Sequence, residues 1–513
     1  MGCALGLVAG LLAACGGGAA STGTGGATDP DAALRVGFPV TQTLDPALTP
    51  GAAAMLSSTW PVYDRLLQVS EDARYEPMLA EKWRFSADGR TLTLDLRRGV
   101  TFSDGTKFDA DAVKANIDRY KTAPAVAESS ASIATVDVVS DHVVKLHLTR
   151  PTRAVLNALA APAPGAMISP TALNNRDLAT RPVGTGAWVI DTFRPGQQVT
   201  YKRRTDSAGI WDGRTGKVAR VEITSRSTDA AYAAVRSGQA DIVLSSGDDS
   251  ELRSEIDARR LRLRALPTTM TIAGMFMNQT VRPFDDKRVR QAVNYAIDRA
   301  SIVKAFAPTT SPRVQPFPKV LGGFDPALEN TYPHDPGKAR ALLAEAGYPR
   351  GLDAGEFLVA NMAQFPHIAQ AVQADLADIG MRIRLKLYDT RQLVTYYSRS
   401  GAPGMFTYIT FPSIESGADF TWLYDNPLTM PGGVPTSLAA RFAGADDPGV
   451  SEPVRASRAA AVNRYATANA LYAPVWQGVP GYIVTGRVRG LDQGRGFLAP
   501  YGAEDFRYVY LTR

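Results

Sequence analysis

Two stretches and a scatter of histidines carry residue types that invite a chemical reading. "GIWDGRTGKV" (209–218) has the outline of a phosphate-cradling loop, in which backbone N–H groups and a lysine hold the anion and a Ser or Thr hydroxyl reaches the metal. Trp211 stands where the first glycine belongs and Val218 replaces the hydroxyl, so the stretch reads as an ordinary loop. The chain has four histidines, His142, His147, His334 and His367. His142 and His147 are five apart on or beside a strand, which puts them on opposite faces, and no His-Glu-x-x-His pattern occurs. A Gly-x-Ser-x-Gly elbow is absent too. Carboxylates are plentiful, but nothing in their linear order pairs two for acid–base work. The expectation is a protein that is not an enzyme and uses neither cofactor nor metal centre.

The second stretch, "GLLAACGGGAASTGTGGATDP" (10–30), is chemical in another sense. Residues 3–14 are uncharged and apolar, too few for a membrane helix of about 20 residues but enough for a signal-peptide core. Leu12-Ala13-Ala14-Cys15 resembles the lipobox of bacterial lipoproteins, which implies a signal peptide over 1–15 and a lipid on Cys15. No Lys or Arg precedes it, so the true start is expected further upstream. Cys3 and Cys15 are the only cysteines, and cleavage would leave no partner for a disulfide. Residues 16–30 then read as a flexible tether, since 16–28 carry no charge and no large apolar side chain.

Charge excludes one class of partner. The 56 Lys and Arg exceed the 50 Asp and Glu by only 6, a small surplus for 513 residues. Basic residues gather mainly in "RRLRLRAL" (259–266) and "MRIRLKLYD" (381–389), where they alternate with Leu, Ile and Met. Alternation of period two is a solvated strand face, so no nucleic-acid partner is expected.

Strands and helices alternate along the rest, which argues a mixed α/β protein. "LRVGF" (34–38) and "VVKLHL" (143–148) are strands. "TLTLDLRRGVTFSDGTKF" (91–108) reads as antiparallel strands, with Asp88-Gly89 and Asp104-Gly105 as turns. Asp109 caps a helix, Thr228 or Asp229 caps another that ends at Gly238, and residues 286–306 have helical spacing throughout. Asp335 caps a helix with Pro336 in its first turn and Gly347 at its end. A helix near 365–379 stops at Gly380 and feeds a strand over 381–387. "ADIVLSS" (240–246) follows as a buried strand.

Several pieces in fixed order resemble the bacterial extracellular solute-binding proteins of family 5, the peptide and nickel type of ABC-importer receptor. They are "LRVGFPVTQTLDPAL", "YDRLLQ", "EPMLAEKWRFSADGRTLTLDLRRGVTFSDGTKFDADAV", "RPVGTGAWVI", "AVRSGQADIV", "FMNQTVRPFDDKRVRQAVNYAIDR" and "DPGKARALLAEAGYPRG". The resemblance implies an α/β, two-lobed periplasmic-binding (type II) fold with a third, extra domain. Lobe I would be discontinuous, 31–60, 182–268 and 478–513; the extra domain 61–181; lobe II 269–477. The Gly184-Thr185-Gly186 turn is expected to let the chain swing between lobes. A lipid tether would hold a monomeric receptor on the outer face of the cytoplasmic membrane, beside its ABC permease and ATPase subunits.

The ligand implied is an oligopeptide or dipeptide. Alternatives are a glycoside, an opine-like compound or a chelated metal, or a non-transport role in cell-envelope glycolipid assembly. In peptide-binding members an aspartate shortly after a Gly-Trp pair clamps the ligand's ammonium. The corresponding stretch is "MFTYITFPSIESGADFTWL" (405–423), where Phe411 takes the Trp position and Ile414 falls where the aspartate belongs. Glu415 or Asp419 could replace the clamp, and Pro412 removes one backbone donor. The expected contacts are Thr41 and Gln42 on the cleft floor, Tyr408 and Phe411 as an aromatic wall, Glu415 as cation clamp, and Gln477 where the chain returns to lobe I.

Overall fold

Most local signals become elements with small changes. The computed structural model describes residues 27–48, 52–70, 74–245, 249–264, 272–308, 310–317, 322–361, 365–388, 405–410, 423, 430, 432–442, 444–477, 481–491, 497–498 and 503–513. Asp109 caps the helix Ala110–Thr122 by accepting the Ala112 N–H at 2.9 Å. Asp335 caps Pro336–Glu345, and Gly380, at φ +83°, turns the helix Phe365–Asp378 into the strand Met381–Tyr388. Two boundaries differ from expectation. Ser227, not Thr228 or Asp229, caps Thr228–Arg236, because its hydroxyl reaches the Ala230 N–H. The expected helix over 286–306 is two, Lys287–Ala296 and Arg299–Phe306, since Asp298 caps the second through the Ser301 N–H.

Three sheets organise the chain. A seven-stranded sheet has the order Leu261–Arg264, Tyr482–Thr485, Ile242–Leu244, Ala33–Gly37, Arg220–Thr224, Gln198–Arg203, Trp188–Arg194. Ala33–Gly37 runs parallel to Arg220–Thr224 and to Ile242–Leu244; the other neighbours are antiparallel. A four-stranded antiparallel sheet pairs Ala80–Phe85, Thr91–Leu96, Val143–Leu148 and Ile133–Ser140 in that order. A six-stranded sheet has the order Ser311–Pro312, Tyr472–Gln477, Ile272–Met277, Met405–Thr410, Leu352–Ala360, Met381–Tyr388. Leu352–Ala360 is parallel to both Met381–Tyr388 and Met405–Thr410.

Packing divides the sheets unequally. Leu34, Val221 and Tyr482 of the seven-stranded sheet share one apolar core with Leu92 and Leu146 of the four-stranded sheet. A smaller cluster, including Tyr232, Val243, Leu261 and Ile483, packs the helix Thr228–Arg236 onto the seven-stranded sheet. The six-stranded sheet builds a separate core from Phe276, Phe357 and Leu376, among others. In sequence, the chain passes from the first core to the second between Arg264 and Ile272, and returns between Gln477 and Tyr482.

The Gly184-Thr185-Gly186 turn is not a swing point. Thr185 is fully buried and donates to Asp64 at 2.7 Å, and Gly186 N–H bonds the Val62 carbonyl at 3.0 Å. A Cβ on Gly184 would lie 2.0 Å from the Val62 carbonyl oxygen, so the glycines serve close backbone approach inside the first core. Beside this turn four charged side chains are buried together. Arg507 donates to Asp505 at 2.6–2.8 Å and to Asp64, and Arg65 reaches Asp505 at 3.4 Å.

Candidate functional site

Open α/β sheets offer ligand sites beyond the carboxyl ends of their parallel strands, where loops and not helices follow the sheet. In the first core those ends belong to Ala33–Gly37, Arg220–Thr224 and Ile242–Leu244. The loop after the first carries Thr41 and Gln42. Thr41 is buried; its N–H donates to Ser58 Oγ at 3.0 Å and its carbonyl accepts the Gly196 N–H at 2.9 Å. Gln42 is exposed and lies over Gly196, where a Cβ would stand 2.4 Å from the Gln42 amide nitrogen.

Farther along the same loop, Asp45 is 3% exposed and receives both terminal nitrogens of Arg119 at 2.9 and 2.5 Å. Arg119 sits on the helix Ala110–Thr122, so a side chain of the four-stranded unit sets the posture of the loop that bears Thr41. Burial pulls the Arg119 guanidinium down, but hydrogen bonds to Asp45 and its charge outweigh that and hold it above its ordinary value. Beyond Ile242–Leu244, Ser245 donates to Asp249 at 2.6 Å, and the Tyr232 hydroxyl donates to the same buried carboxylate. Both polar clusters stand at the end of the sheet that Thr41 occupies.

In the second core the parallel strands Leu352–Ala360, Met381–Tyr388 and Met405–Thr410 end on one side. Tyr408 lies in the last of these, its backbone opposite Gly274. Gln477 ends the strand Tyr472–Gln477 and stands in register with Ile272 and Ser311, while Ile272 also faces Thr410. Gln477 and the close of the Tyr408 strand therefore share one end of this sheet. Its neighbour Trp476 is buried with its ring 5.5 Å from that of Phe365, a packing role. Phe411, Pro412, Ile414, Glu415, Asp419 and Cys15 lie outside the described residues.

The expected contacts thus divide between cores, Thr41 and Gln42 on the first, Tyr408 and Gln477 on the second, each near strand carboxyl ends. Sequence reasoning missed Asp45 with Arg119 and the Ser245, Asp249 and Tyr232 cluster. Residues 74 positions apart give no linear signal of pairing. Among the described residues no cluster of three or more His, Cys, Asp or Glu could hold a metal ion. Among them, too, no helix is long and apolar enough to cross a membrane.

Comparison with known proteins bears on the family and the fold. A profile described as "Bacterial extracellular solute-binding proteins, family 5 Middle" matches residues 74–430. The glutathione-binding protein GsiB of Salmonella choleraesuis (strain SC-B67) is 35% identical over 343 residues, 64% of this chain and 64% of that relative, so the chain spans just under two thirds of its length. Among solved structures, the binding protein AgaA of A. tumefaciens R10 in complex with agropinic acid superposes with a TM-score of 0.77 at 24% identity, over 94% of this chain and 99% of that one. DppA of Helicobacter pylori in complex with the peptide STSA gives 0.78 at 20% identity, over 94% and 98%. These structural likenesses fix the fold, a two-lobed type II periplasmic-binding architecture with an extra domain.

Proposed function

Because the chain belongs to the bacterial extracellular solute-binding proteins, family 5, we propose that it is an extracytoplasmic receptor of an ABC importer. It takes one small solute of the peptide class between its two cores and hands it to a membrane permease driven by ATPase subunits. The observation that carries this reading is the pair of separate cores, each presenting strand carboxyl ends, between which the described elements pass once in each direction along the sequence. The proposed partition is lobe I over 31–60, 182–268 and 478–513, the extra domain over 61–181, and lobe II over 269–477. It is supported by a core that the first two share and the third does not. Cys15, left as the lipidated first residue once the signal peptide before it is removed, is the proposed anchor, with 16–30 as tether; the receptor acts as a monomer on the outer face of the cytoplasmic membrane.

Thr41, Gln42, Tyr408, Phe411, Glu415 and Gln477 are the proposed ligand contacts. An extended peptide pairs its main chain with exposed backbone, and its ammonium needs an acidic partner once desolvated. Glu415 is that proposed partner, since Ile414 cannot serve. Reduced glutathione, the ligand in the name of the relative above, is the first probe. Titration calorimetry with glutathione and a di- to pentapeptide set is expected to give one site per chain. Glu415→Gln should weaken free-amine ligands about 30-fold, the loss of roughly 2 kcal/mol from a charge-assisted hydrogen bond, and leave N-acetylated ones unchanged. No binding to any member of the set would remove peptides from the account. Tight binding of free-amine peptides that ignores Glu415 would remove the clamp.

A further inference from the structure

A carboxylate that follows a helix of the second core is buried against a segment that leads into the first. Asp446 follows the helix Thr436–Phe442 and is 3% exposed. One carboxylate oxygen accepts the N–H groups of Arg153 at 3.1 Å and Ala154 at 3.2 Å. The other accepts the Thr152 hydroxyl and an Arg150 amino group, the latter at 3.4 Å. The Asp446 carbonyl also accepts the Arg153 N–H at 2.9 Å. These donors come from 150–154, the segment that enters the helix Ala154–Ala160, whose Val155 and Leu156 belong to the first core. Two residues on, Pro448 seats against the Asp88-Gly89 turn: a Cβ on Gly89 would lie 2.8 Å from the Pro448 ring.

A buried carboxylate is costly unless its lone pairs are filled, and the described partners of the Asp446 side chain all lie in the other core. We propose that Asp446 is a latch that holds the two cores closed and so sets ligand affinity without touching the ligand; this rests on reading the chain as a two-core receptor. Separation of the two cores draws Asp446 out of the 150–154 segment. Water then replaces each hydrogen bond at nearly equal strength, so the latch biases the equilibrium and does not lock it. A ligand that needs the closed form binds with an apparent affinity scaled by the fraction already closed.

Spin-label distances test this without any ligand. Labels on Asp229→Cys and Lys304→Cys, both exposed helix positions on different cores, are introduced with Cys3 and Cys15 changed to serine. Asp446→Ala is expected to raise the ratio of long to short distances about tenfold, Asp446→Asn less, and Thr152→Val a few-fold, as removal of one hydrogen bond would. Distance distributions of Asp446→Ala that superimpose on the wild type overturn the latch. Should Asp446→Ala fail to fold by circular dichroism, Thr152→Val decides: an unchanged distribution there overturns it equally. Calorimetry with glutathione reports separately on the functional reading, because the distances are measured whether or not glutathione binds.

Discussion

Two buried carboxylate clusters join distant parts of this chain, and they differ in what they join. Asp64 and Asp505, with Arg65, Arg507 and Thr185, tie segments that lie within one apolar core. Asp446, with Arg150, Thr152 and the N–H groups of Arg153 and Ala154, ties one core to another. In the first, separating the partners means unfolding the surrounding core. In the second, the partners part while both cores stay packed. The same chemistry is therefore a structural element in one place and a movable contact in the other. What decides is the continuity of apolar packing around it, not the strength of its hydrogen bonds.

The largest effect expected from this contrast is on Arg507. Burial lowers its charge affinity, yet the carboxylates of Asp505 and Asp64 outweigh that and raise its pKa, whereas burial takes Arg65 down to about 10. Arg507→Ala leaves two buried carboxylates short of a partner and should cost about 3–5 kcal/mol of stability, read by urea unfolding, with the distance between cores in the remaining folded protein unchanged. Asp446→Ala should do the reverse, shifting the distance and leaving the unfolding midpoint nearly in place. If both variants lower stability equally, the contrast between the clusters fails.

Arg119 tests an intermediate case, a buried pair between two units of the same core. Arg119→Ala strands Asp45 and should destabilise by about 3 kcal/mol, since one partner is removed from a largely buried pair. It should also weaken ligand binding, because the Asp45 loop carries Thr41 and Gln42. Arg119→Lys, which keeps charge but loses the two-pronged geometry, should recover only part of both.

A smaller effect sharpens the latch through glycine. Gly89 has φ +68° and Gly105 has φ +86°, but a Cβ at Gly105 meets nothing within 4 Å, whereas at Gly89 it meets Pro448 and Pro151. Both Ala variants should lose about 1 kcal/mol to left-handed backbone strain in thermal unfolding. Only Gly89→Ala should also widen the distance between cores; equal widening in both would disconnect Pro448 from closure.

The smallest effect is on pH. Burial raises the Asp446 carboxyl above its ordinary value, against the Thr152 hydroxyl, the Arg150 charge and the N–H groups of Arg153 and Ala154, which pull it down. A group that binds its proton more tightly when docked favours docking as pH falls through the docked value towards about 3.9, the value of an exposed aspartate. The ligand-free closed fraction should therefore rise as the pH is lowered from 7 towards that value. That rise should vanish in Asp446→Asn, which no longer titrates beside Arg150, Arg153 and Asp447. A closed fraction that falls with acid would mean that Arg150 dominates the site.

Short-range chemistry was legible from the chain alone. Asp109 and Asp335 cap helices because a side-chain oxygen two or three residues from an N–H needs no partner from elsewhere. Asp88-Gly89 and Asp104-Gly105 turn because glycine tolerates positive φ wherever it stands. The alternation in 381–389 pointed to a strand, and the order of the family's pieces to the receptor class, for the same reason, since both are written in neighbouring residues. Ser227 displaced the expected cap by a single position, a choice between adjacent hydroxyls that propensity leaves even. Tertiary structure alone decided that Gly184 and Gly186 are gaps for the Pro61 and Val62 carbonyls and not a swivel. It alone paired Asp45 with Arg119, Asp64 with Arg507, and Asp446 with a segment about 290 residues away. Such pairs leave no mark in linear order, because a carboxylate's partner is chosen by which surfaces the apolar cores bring together.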